Sequence, residues 1–334
     1  MKSNTPRVSV NVISESAFTV QGHGVHSAFV DTVQALKQVP DIDLVVNSLR
    51  RTDLVHLHTV GPISALALAS SNRSVVTAHI TADSLSGSVL GGRNLRPAWR
   101  RYLASFYNRA DAVITLSRAH EAELRRDGVV SQIVSIPPGV ARAELPSRRQ
   151  SRLLLGIDKK DAVVLTVGQV QPRKAVHDFH QTAAAMPDVR FIWVGGFPFG
   201  SLTSEYRAMR SLVKSRPSNV AHVGQISRAS VRMYYAAADI YFHPSHQEHA
   251  PVAVFEAAAA KLPLVLRDLE PYRQLYPGRY VPATEATFVA HVRRLLTDGE
   301  LYRTMTDHAE VIEATYSSHR FAARLSDVYR FLAD

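Results

Sequence analysis

The chain has 334 residues, which exceeds the size at which one hydrophobic core usually keeps growing, so two domains are expected. It contains no cysteine, which excludes disulfides, thiolate metal sites and cysteine nucleophiles and fits a reducing cytoplasm. The net charge of +10 indicates attraction to a polyanion, which could be anionic lipid, nucleic acid or a nucleotide.

The N-terminal segment is typical of the start of a doubly wound α/β domain. It lacks the apolar run of a signal peptide, and no later window approaches a membrane span, so we expect a soluble or peripheral protein. Residues 8–13 form a predicted strand, followed by a loop with Gly22 and Gly24 and then an amphipathic helix. Ligands of such sheets bind outside the carboxyl ends of the strands. The two glycines therefore either let the backbone approach a ligand or only supply the turn, and the sequence leaves both open.

Three further strands are predicted in this half, at residues 44–47, 54–58 and 75–79. His56 and His58 share one strand face, so they are either a metal pair or packed residues at a strand end, and the lack of a nearby third ligand favours packing. His79 ends its strand before a polar loop, where ligand-facing residues belong. Asp41 and Asp43 match the D-x-D pattern of metal-dependent sugar transferases, but they precede their strand, and we interpret them as a turn.

A basic and aromatic segment follows. Residues 84–110 include no acidic residue and five arginines, which are Arg93, Arg96, Arg100, Arg101 and Arg109. Pro97 can begin a helix on which aromatic and leucine side chains share a face, namely Trp99, Tyr102, Leu103 and Phe106. The stretch 93–109 either lies on an anionic membrane surface or is an ordinary helix with its aromatic face in the core, and the sequence leaves both open.

The second half repeats the α/β alternation after a polar, basic segment, 141–152, which we interpret as the interdomain linker. Predicted strands lie at residues 163–167, 189–194, 220–223, 240–242, 262–266 and 280–281, with helices between them. The terminal segment is an amphipathic helix that must pack against a partner. Its apolar face carries Phe321, Leu325, Val328, Tyr329 and Leu332.

The segment 239–268 carries the main candidate site. Pro251 is predicted at the first position of a helix, Glu248 precedes it and Glu256 lies on its second turn. Free amides and the helix dipole suit a diphosphate, whereas the two carboxylates suit sugar hydroxyls, so the pattern indicates a nucleotide sugar. Arg173 and Lys174 follow an earlier strand and can neutralise a departing diphosphate without a metal. No metal-ligand cluster is visible, and we assign no metal and no bound cofactor.

Several motifs together resemble the family 4 retaining glycosyltransferases of the GT-B fold. They are the two glutamates with seven residues between them, the loop Gly168 to Lys174, ADAVITLS, IPPGV and the terminal helix. More narrowly, VQGHGVHSA, TAHITADSLSGS, VGQVQPRK, WVGGFPFG and LPLVLRDLEPY resemble bacterial diacylglycerol glucosyltransferases. The resemblance implies two Rossmann-like domains that face across a cleft, with a C-terminal helix that crosses back. The implied domains are an acceptor-binding domain at 1–145, a nucleotide-sugar domain at 146–312 and the returning helix at 313–334.

The resemblance also implies roles for individual residues. Glu256 would hold the ribose of a UDP-sugar, Glu248 the hydroxyls of its sugar, and Arg173 with Lys174 the diphosphate. His79 would face the sugar near the anomeric centre. The remaining residues implied at the donor or acceptor are Gly22, Gly24, Gly168, Ala250 and Val252. The catalytic set is therefore His79, Glu248, Arg173 and Lys174.

The sequence departs from the family pattern at several positions. Gln169 replaces the usual arginine, and Ala175 and Lys261 stand where glycine is common. His249 and Ala250 replace the common residues after the first glutamate, which leaves the donor sugar open. The reaction implied is retaining transfer through an oxocarbenium-like state, in which the acceptor hydroxyl attacks from the side of the leaving group.

The leading prediction is transfer of glucose from UDP-glucose to diacylglycerol by a peripheral protein on the inner, cytoplasmic face of the membrane. The main alternative keeps the enzyme class with galactose or mannose as the donor sugar, or with another lipid or glycan acceptor. An inactive scaffold is a weaker alternative. A nucleic-acid binder is disfavoured, because no RNA-binding or helix-turn-helix signature is present.

Overall fold

The computed structural model describes residues 7–17, 24–86, 94–141, 144–197 and 200–334. The chain divides into two compact units. The described residues of the first are 7–17, 24–86, 94–141 and 316–334, and those of the second are 144–197 and 200–315.

Each unit contains a six-stranded sheet whose described strand pairs are all parallel. The strands of the first are β1 (Val8–Ile13), β2 (Ile42–Val46), β3 (Leu54–Leu57), β4 (Ser74–Thr77), β5 (Ala112–Thr115) and β6 (Gln132–Ser135). Those of the second are β7 (Val163–Val167), β8 (Arg190–Val194), β9 (Val220–Gly224), β10 (Ile240–His243), β11 (Leu264–Arg267) and β12 (Val281–Ala283). Most inner strands are short apolar runs because helices cover both faces of such sheets.

Helices connect nearly all of these strands. In the first unit they are α1 (Gly24–Leu36), α2 (Pro62–Ser70), α3 (Ala82–Ser86), α4 (Arg96–Tyr107) and α5 (Arg118–Arg126). In the second they are α6 (Arg148–Leu154), α7 (Val176–Ala184), α8 (Tyr206–Lys214), α9 (Arg228–Ala237), α10 (Val252–Ala259), α11 (Glu270–Leu275), α12 (Phe288–Thr297) and α13 (Gly299–Thr315). The last helix, α14 (Ser318–Ala333), belongs to the first unit. The predicted doubly wound α/β architecture is confirmed.

The strand order determines where a ligand can bind in the second unit. That order is β12-β11-β10-β7-β8-β9, so the chain proceeds outward from β7 in one direction and then from β10 in the other. A crevice forms where the two directions diverge, outside the carboxyl ends of β7 and β10. The loop that carries Arg173 and the loop that carries Glu248 follow these two strands, so the topology brings them to one edge.

The terminal helix α14 packs on the core of the first unit, as its amphipathic pattern predicts. Leu325, Tyr329 and Leu332 are buried in the cluster that contains the β1 valines, with Phe321 and Val328 packed against it. The backbone at Gly139 lies close to α14. A side chain at that position would collide with Phe321 and with the backbone of α14. The helix is therefore an integral part of this unit.

Four local predictions need correction. Asp43 lies inside β2 rather than in a turn, because the edge strand begins one residue after Asp41. Pro251 is the N-cap of α10 and not its first residue. The predicted linker 141–152 is shorter than expected, since α6 begins at Arg148 and buried Arg152 bonds to Asp239. The polar loop after His79 contains α3, and α2 was not predicted.

Candidate active site

The loop after β7 is held by close backbone packing. Gly168 donates its amide to Val194 O at 2.9 Å, and its carbonyl accepts from Trp193 Nε1 at 2.9 Å. Gly195 has φ 131°, and a side chain there would lie 1.9 Å from Gly168 O. Only glycine fits such an approach. The packing fixes the start of the loop before it reaches Arg173 and Lys174, which lie in a 3-10 turn at Pro172–Lys174.

Glu248 lies in a buried set of charges that joins the two loops. Its Oε1 accepts from Lys174 Nζ, and Arg173 Nη1 lies 3.8 Å from Oε2. The side chains of Glu248 and Lys174 are only 7% and 10% exposed. The backbone closes the contact, because His246 N donates to Arg173 O at 2.8 Å. The structure therefore brings together three of the four residues predicted to be catalytic.

His243 supports Glu248 from the end of β10. Its Nε2 is 3.1 Å from Glu248 Oε1, and since a carboxylate only accepts, the histidine donates. Its Nδ1 lies 3.1 Å from Tyr241 OH, a hydroxyl that also lies 3.3 Å from Val167 O. Tyr241 and His243 are two positions apart, so they share a face of the strand. This pair orients the Glu248 carboxylate.

The pKa values indicate that this set is charged at neutral pH. Burial acts to raise the pKa of Glu248, but Lys174 and the other hydrogen-bonding and cationic partners outweigh it and hold the pKa well below its usual value. Burial lowers the pKa of Lys174 to about 8, against the attraction of Glu248. Burial also lowers the pKa of His243, which keeps it neutral. A buried carboxylate with two cations beside it remains ionised.

Glu256 has different partners. Arg228 binds Glu256 Oε1 through Nε at 3.0 Å and Nη2 at 2.8 Å, and Tyr235 OH donates to Oε2 at 3.1 Å. Glu256 lies on the second turn of α10, as predicted, and is half-buried. Ala250 is buried just before this helix, and Val252 is its first residue. The two predicted glutamates are therefore oriented by two separate groups of side chains.

His79 belongs to a histidine group in the first unit. Its Nε2 is 3.0 Å from His58 Nδ1, and the two rings stack with centroids 5.1 Å apart. His56 is fully buried and bonds to Tyr329 OH at 2.6 Å and Thr77 Oγ1 at 2.7 Å. These contacts support the packing interpretation of His56.

Of the two predicted glycines of the first unit, Gly24 begins α1 and is exposed, whereas Gly22 lies outside the described residues.

Among the described residues, one group has metal-ligand geometry, and it is not the strand histidines. It consists of Asp178, His246 and Glu285. Arg267 already bonds to Asp178 and, at 3.0 Å, to Glu285 Oε1. A guanidinium between the two carboxylates supplies the positive charge that a cation would bring.

The basic helix α4 has a divided face. Leu103 and Phe106 are buried in the core, whereas Tyr102 is 42% exposed and donates to Val60 O. Arg100 and Arg101 are exposed. Arg109 is also exposed, Arg96 pairs with Asp83, and Arg93 lies outside the described residues. None of the helices in the described part of the chain is long and apolar enough to span a membrane.

Comparisons with known proteins identify the family. The family described as glycosyl transferases group 1 matches residues 147–311, and glycosyltransferase family 4 matches residues 13–144. The alpha-galactosylglucosyldiacylglycerol synthase of Streptococcus pneumoniae is 31% identical over 82% of this chain and 76% of its own length. The chain belongs to glycosyltransferase family 4. The resemblance seen in the sequence is confirmed.

Two further curated relatives of this glycosyltransferase come from Acholeplasma laidlawii. The processive diacylglycerol alpha-glucosyltransferase is 27% identical and covers 79% of this chain and 80% of its own. The alpha-monoglucosyldiacylglycerol synthase is 22% identical and covers 85% and 76%.

Solved structures confirm the GT-B fold of the glycosyltransferase. The sucrose-phosphate synthase of Thermosynechococcus elongatus has a TM-score of 0.81, with 19% identity over 98% of this chain and 99% of its own. Anabaena HepE in complex with UDP-glucose has a TM-score of 0.78, with 15% identity over 98% and 100%. At these identities the likeness concerns the fold alone.

The sequence interpretation missed four side chains that orient the two glutamates of this glycosyltransferase. Tyr241 and His243 could have been found, because their alternation on a strand that leads to Glu248 predicts a shared face. Arg228 and Tyr235 had no such signal. They lie 28 and 21 positions from Glu256, and only the fold of α9 beside α10 brings them together.

Proposed function

We propose that this glycosyltransferase moves glucose from UDP-glucose to the free hydroxyl of 1,2-diacylglycerol, with retention, at the inner surface of the cell membrane. The observation that carries the proposal is the buried pair of Glu248 and Lys174, with half-buried Arg173 beside it, at the switch point of the second sheet. It combines cations for a diphosphate with an oriented carboxylate for sugar hydroxyls. The names of the curated relatives, which are diacylglycerol glycosyltransferases, support the lipid acceptor.

The roles follow from the charges. Arg173 and Lys174 bind the diphosphate and neutralise the charge that develops as it leaves. Glu248 accepts from hydroxyls of the sugar, and Glu256, oriented by Arg228, accepts from those of the ribose. The remaining donor contacts are assigned to backbone at Gly168, Ala250 and Val252.

The chemical step passes through an oxocarbenium-like state near His79. The acceptor hydroxyl attacks from the leaving-group side, and a diphosphate oxygen takes its proton as the sugar–phosphate bond breaks. Gly24 is assigned to the wall beside the sugar and the acceptor. No divalent ion is assigned a role, because the cations of this chain supply the positive charge.

Replacement of Glu256 tests the donor site. Since a hydrogen bond to a charged group contributes about 1.5–3 kcal/mol, Glu256→Ala should raise the KM for UDP-glucose about 10- to 100-fold. The matched control is Glu300→Ala at an exposed position of α13, which should leave KM unchanged. An unchanged KM in both variants contradicts the assignment.

A second candidate function is transfer of galactose from UDP-galactose to a glucosylated diacylglycerol. It is favoured because the S. pneumoniae synthase named for that product is 31% identical, against 22% for the monoglucosyl synthase of A. laidlawii. A screen of UDP-glucose and UDP-galactose against diacylglycerol and glucosyl-diacylglycerol, with lipid products identified by mass spectrometry, separates the two. Activity on water-soluble sugars alone would contradict both.

The membrane placement rests on the exposed arginines of α4 beside Tyr102. Arg100→Ala with Arg101→Ala should reduce co-sedimentation with anionic liposomes, because each basic residue near such a surface contributes about 1 kcal/mol. Arg149→Ala with Arg303→Ala removes the same charge from exposed positions of the second unit and is the control. Equal binding to neutral vesicles would refute the electrostatic contribution.

A further inference from the structure

The two histidines next to His79, His56 and His58, are buried and packed against each other. His58 is 2% exposed, and its Nδ1 makes the 3.0 Å contact with His79 Nε2. On the other side, the His58 ring packs against His56, with centroids 4.6 Å apart, and against the edge of Phe29 at 5.8 Å. Among the described residues, His58 therefore has three aromatic neighbours and one polar contact, which is to His79.

The position of the hydrogen on His58 follows from burial. Burial lowers the pKa of His58 well below its usual value, with His56 and His79 adding to the effect, so the ring is neutral and carries one N–H. Its Nε2 is buried and has no hydrogen-bond partner among the described residues. A buried N–H without an acceptor is rarer and costlier than a buried acceptor without a donor. The hydrogen accordingly lies on Nδ1, where it has His79 Nε2 as its acceptor.

This arrangement determines the state of His79. If His58 Nδ1–H donates, His79 Nε2 is an acceptor, and a neutral His79 ring carries its hydrogen on Nδ1. The stacked geometry, with an interplanar angle of 27°, also restricts rotation of the His79 ring.

The histidine group is anchored by the terminal helix. His56 Nδ1 contacts Tyr329 OH, and its Nε2 contacts Thr77 Oγ1, so its ring cannot turn without loss of a buried hydrogen bond. His56 in turn limits the space available to His58. The contacts that hold the histidine group in place therefore extend from α14 to the end of β4.

We propose that His58 is a positioning residue that holds His79 in one ring orientation and in the tautomer with hydrogen on Nδ1. This inference deepens the proposed function, on which the assignment of His79 to the sugar site rests. It adds a residue that touches no substrate and acts only through His79.

The test uses two substitutions of the full-length protein. His58→Phe keeps an aromatic ring at this position and removes the donor. His58→Asn retains a donor near the position of Nδ1 and is the conservative rescue. Nitrogen-15 NMR of the ring nitrogens, assigned with His79→Gln, reports the tautomer of His79 without any turnover.

In the wild type, His79 should show an unprotonated Nε2 and a protonated Nδ1. His58→Phe should shift both resonances towards a mixture of tautomers and lower kcat about tenfold with the KM for UDP-glucose unchanged, whereas His58→Asn should restore both. A wild-type His79 with hydrogen on Nε2, or a tautomer unaffected by His58→Phe, overturns the inference.

The two hypotheses fail differently. If the NMR signature shifts as expected while kcat does not change, His58 orders His79 as inferred, but His79 is not at the sugar, and the proposed site fails. A loss of kcat without an NMR change would mean that His58 acts by another route, which overturns the inference and leaves the proposed function standing. Equal thermal melting of the two variants guards against a folding defect.

Discussion

Loss of the Lys174 charge should destabilise the second unit more than an ordinary surface substitution. Lys174→Met leaves Glu248 buried, with its side chain 7% exposed, and with Arg173 at 3.8 Å as its remaining cation. Removal of one partner of a buried ion pair costs about 3–5 kcal/mol. Because Arg173 still offsets part of the charge, we expect about 3 kcal/mol, near the lower end of that range.

The opposite substitution should cost less. Glu248→Gln leaves Lys174 alone, but the pKa of that lysine is already lowered to about 8, so it can release its proton near neutrality. Glu248 raises that pKa, so its loss lowers the pKa of Lys174 further, and deprotonation at pH 7 then costs at most about 1.4 kcal/mol. The double variant has neither charge and should cost about 1 kcal/mol, so the coupling energy is about 3 kcal/mol.

Trp193 allows the second unit to be followed by itself. The chain has two tryptophans, and Trp99→Phe leaves Trp193, which is buried in the core of the second unit. Urea unfolding monitored by its fluorescence gives the free energy of unfolding for the four members of the cycle. If the double variant loses the sum of the two single effects, the charges are independent, and the reasoning is refuted.

Three further predictions concern pH and backbone strain. Turnover should decline above pH 8, because Lys174 then loses the charge that binds diphosphate, and Lys174→Arg should move the decline to higher pH. Burial lowers the pKa of His180 to about 4 and that of His222 to about 3, below their unfolded value. The stability that each histidine contributes is present above pH 6.5 and is lost on acidification, by about 2 kcal/mol per histidine at pH 5. Trp193 fluorescence should report this loss, and His222→Asn should flatten it. Lys261 has φ 60°, so Lys261→Gly should be about 1 kcal/mol more stable in urea than Lys261→Ala, and equality would argue against strain there.

The sequence predicts much of the fold, because strand and helix periods are local. The apolar runs of β1, β7 and β10 and the amphipathic face of α14 lie where expected. The errors occur where local pattern is ambiguous. Pro251 suits both a first helical position and an N-cap, and Asp43 is polar yet lies in a half-exposed edge strand.

The candidate site was predictable only in part. Glu248 follows β10, and Arg173 and Lys174 follow β7. These two strands lie at the switch point, so the topology places the three residues at the edge where the sequence predicts a ligand. His58 and His79 are 21 positions apart and follow two different strands. Neither their contact nor the burial of the pair can be predicted from a local stretch of sequence. Arg228 is likewise placed by packing.

The two family departures at glycine positions have a shared structural basis. Ala175 and Lys261 both adopt a left-handed backbone, with φ 56° and 60°. An L-residue there costs about 1–2 kcal/mol relative to its preferred conformation. Ala175 separates Lys174 from α7, so the strain lies directly beside the charged loop.

The charges of buried Glu248 and Lys174 and of half-buried Arg173 also restrict how the protein can change over evolutionary time. An exposed residue such as Glu300 can be exchanged one mutation at a time, with little effect on folding. A mutation of Lys174 instead leaves the Glu248 carboxylate buried without its main partner. An ancestor with only that mutation would have to tolerate the lower stability until a second mutation removed the carboxylate. Descendants should therefore retain all three charges or replace them together, even where selection on the sugar donor is relaxed.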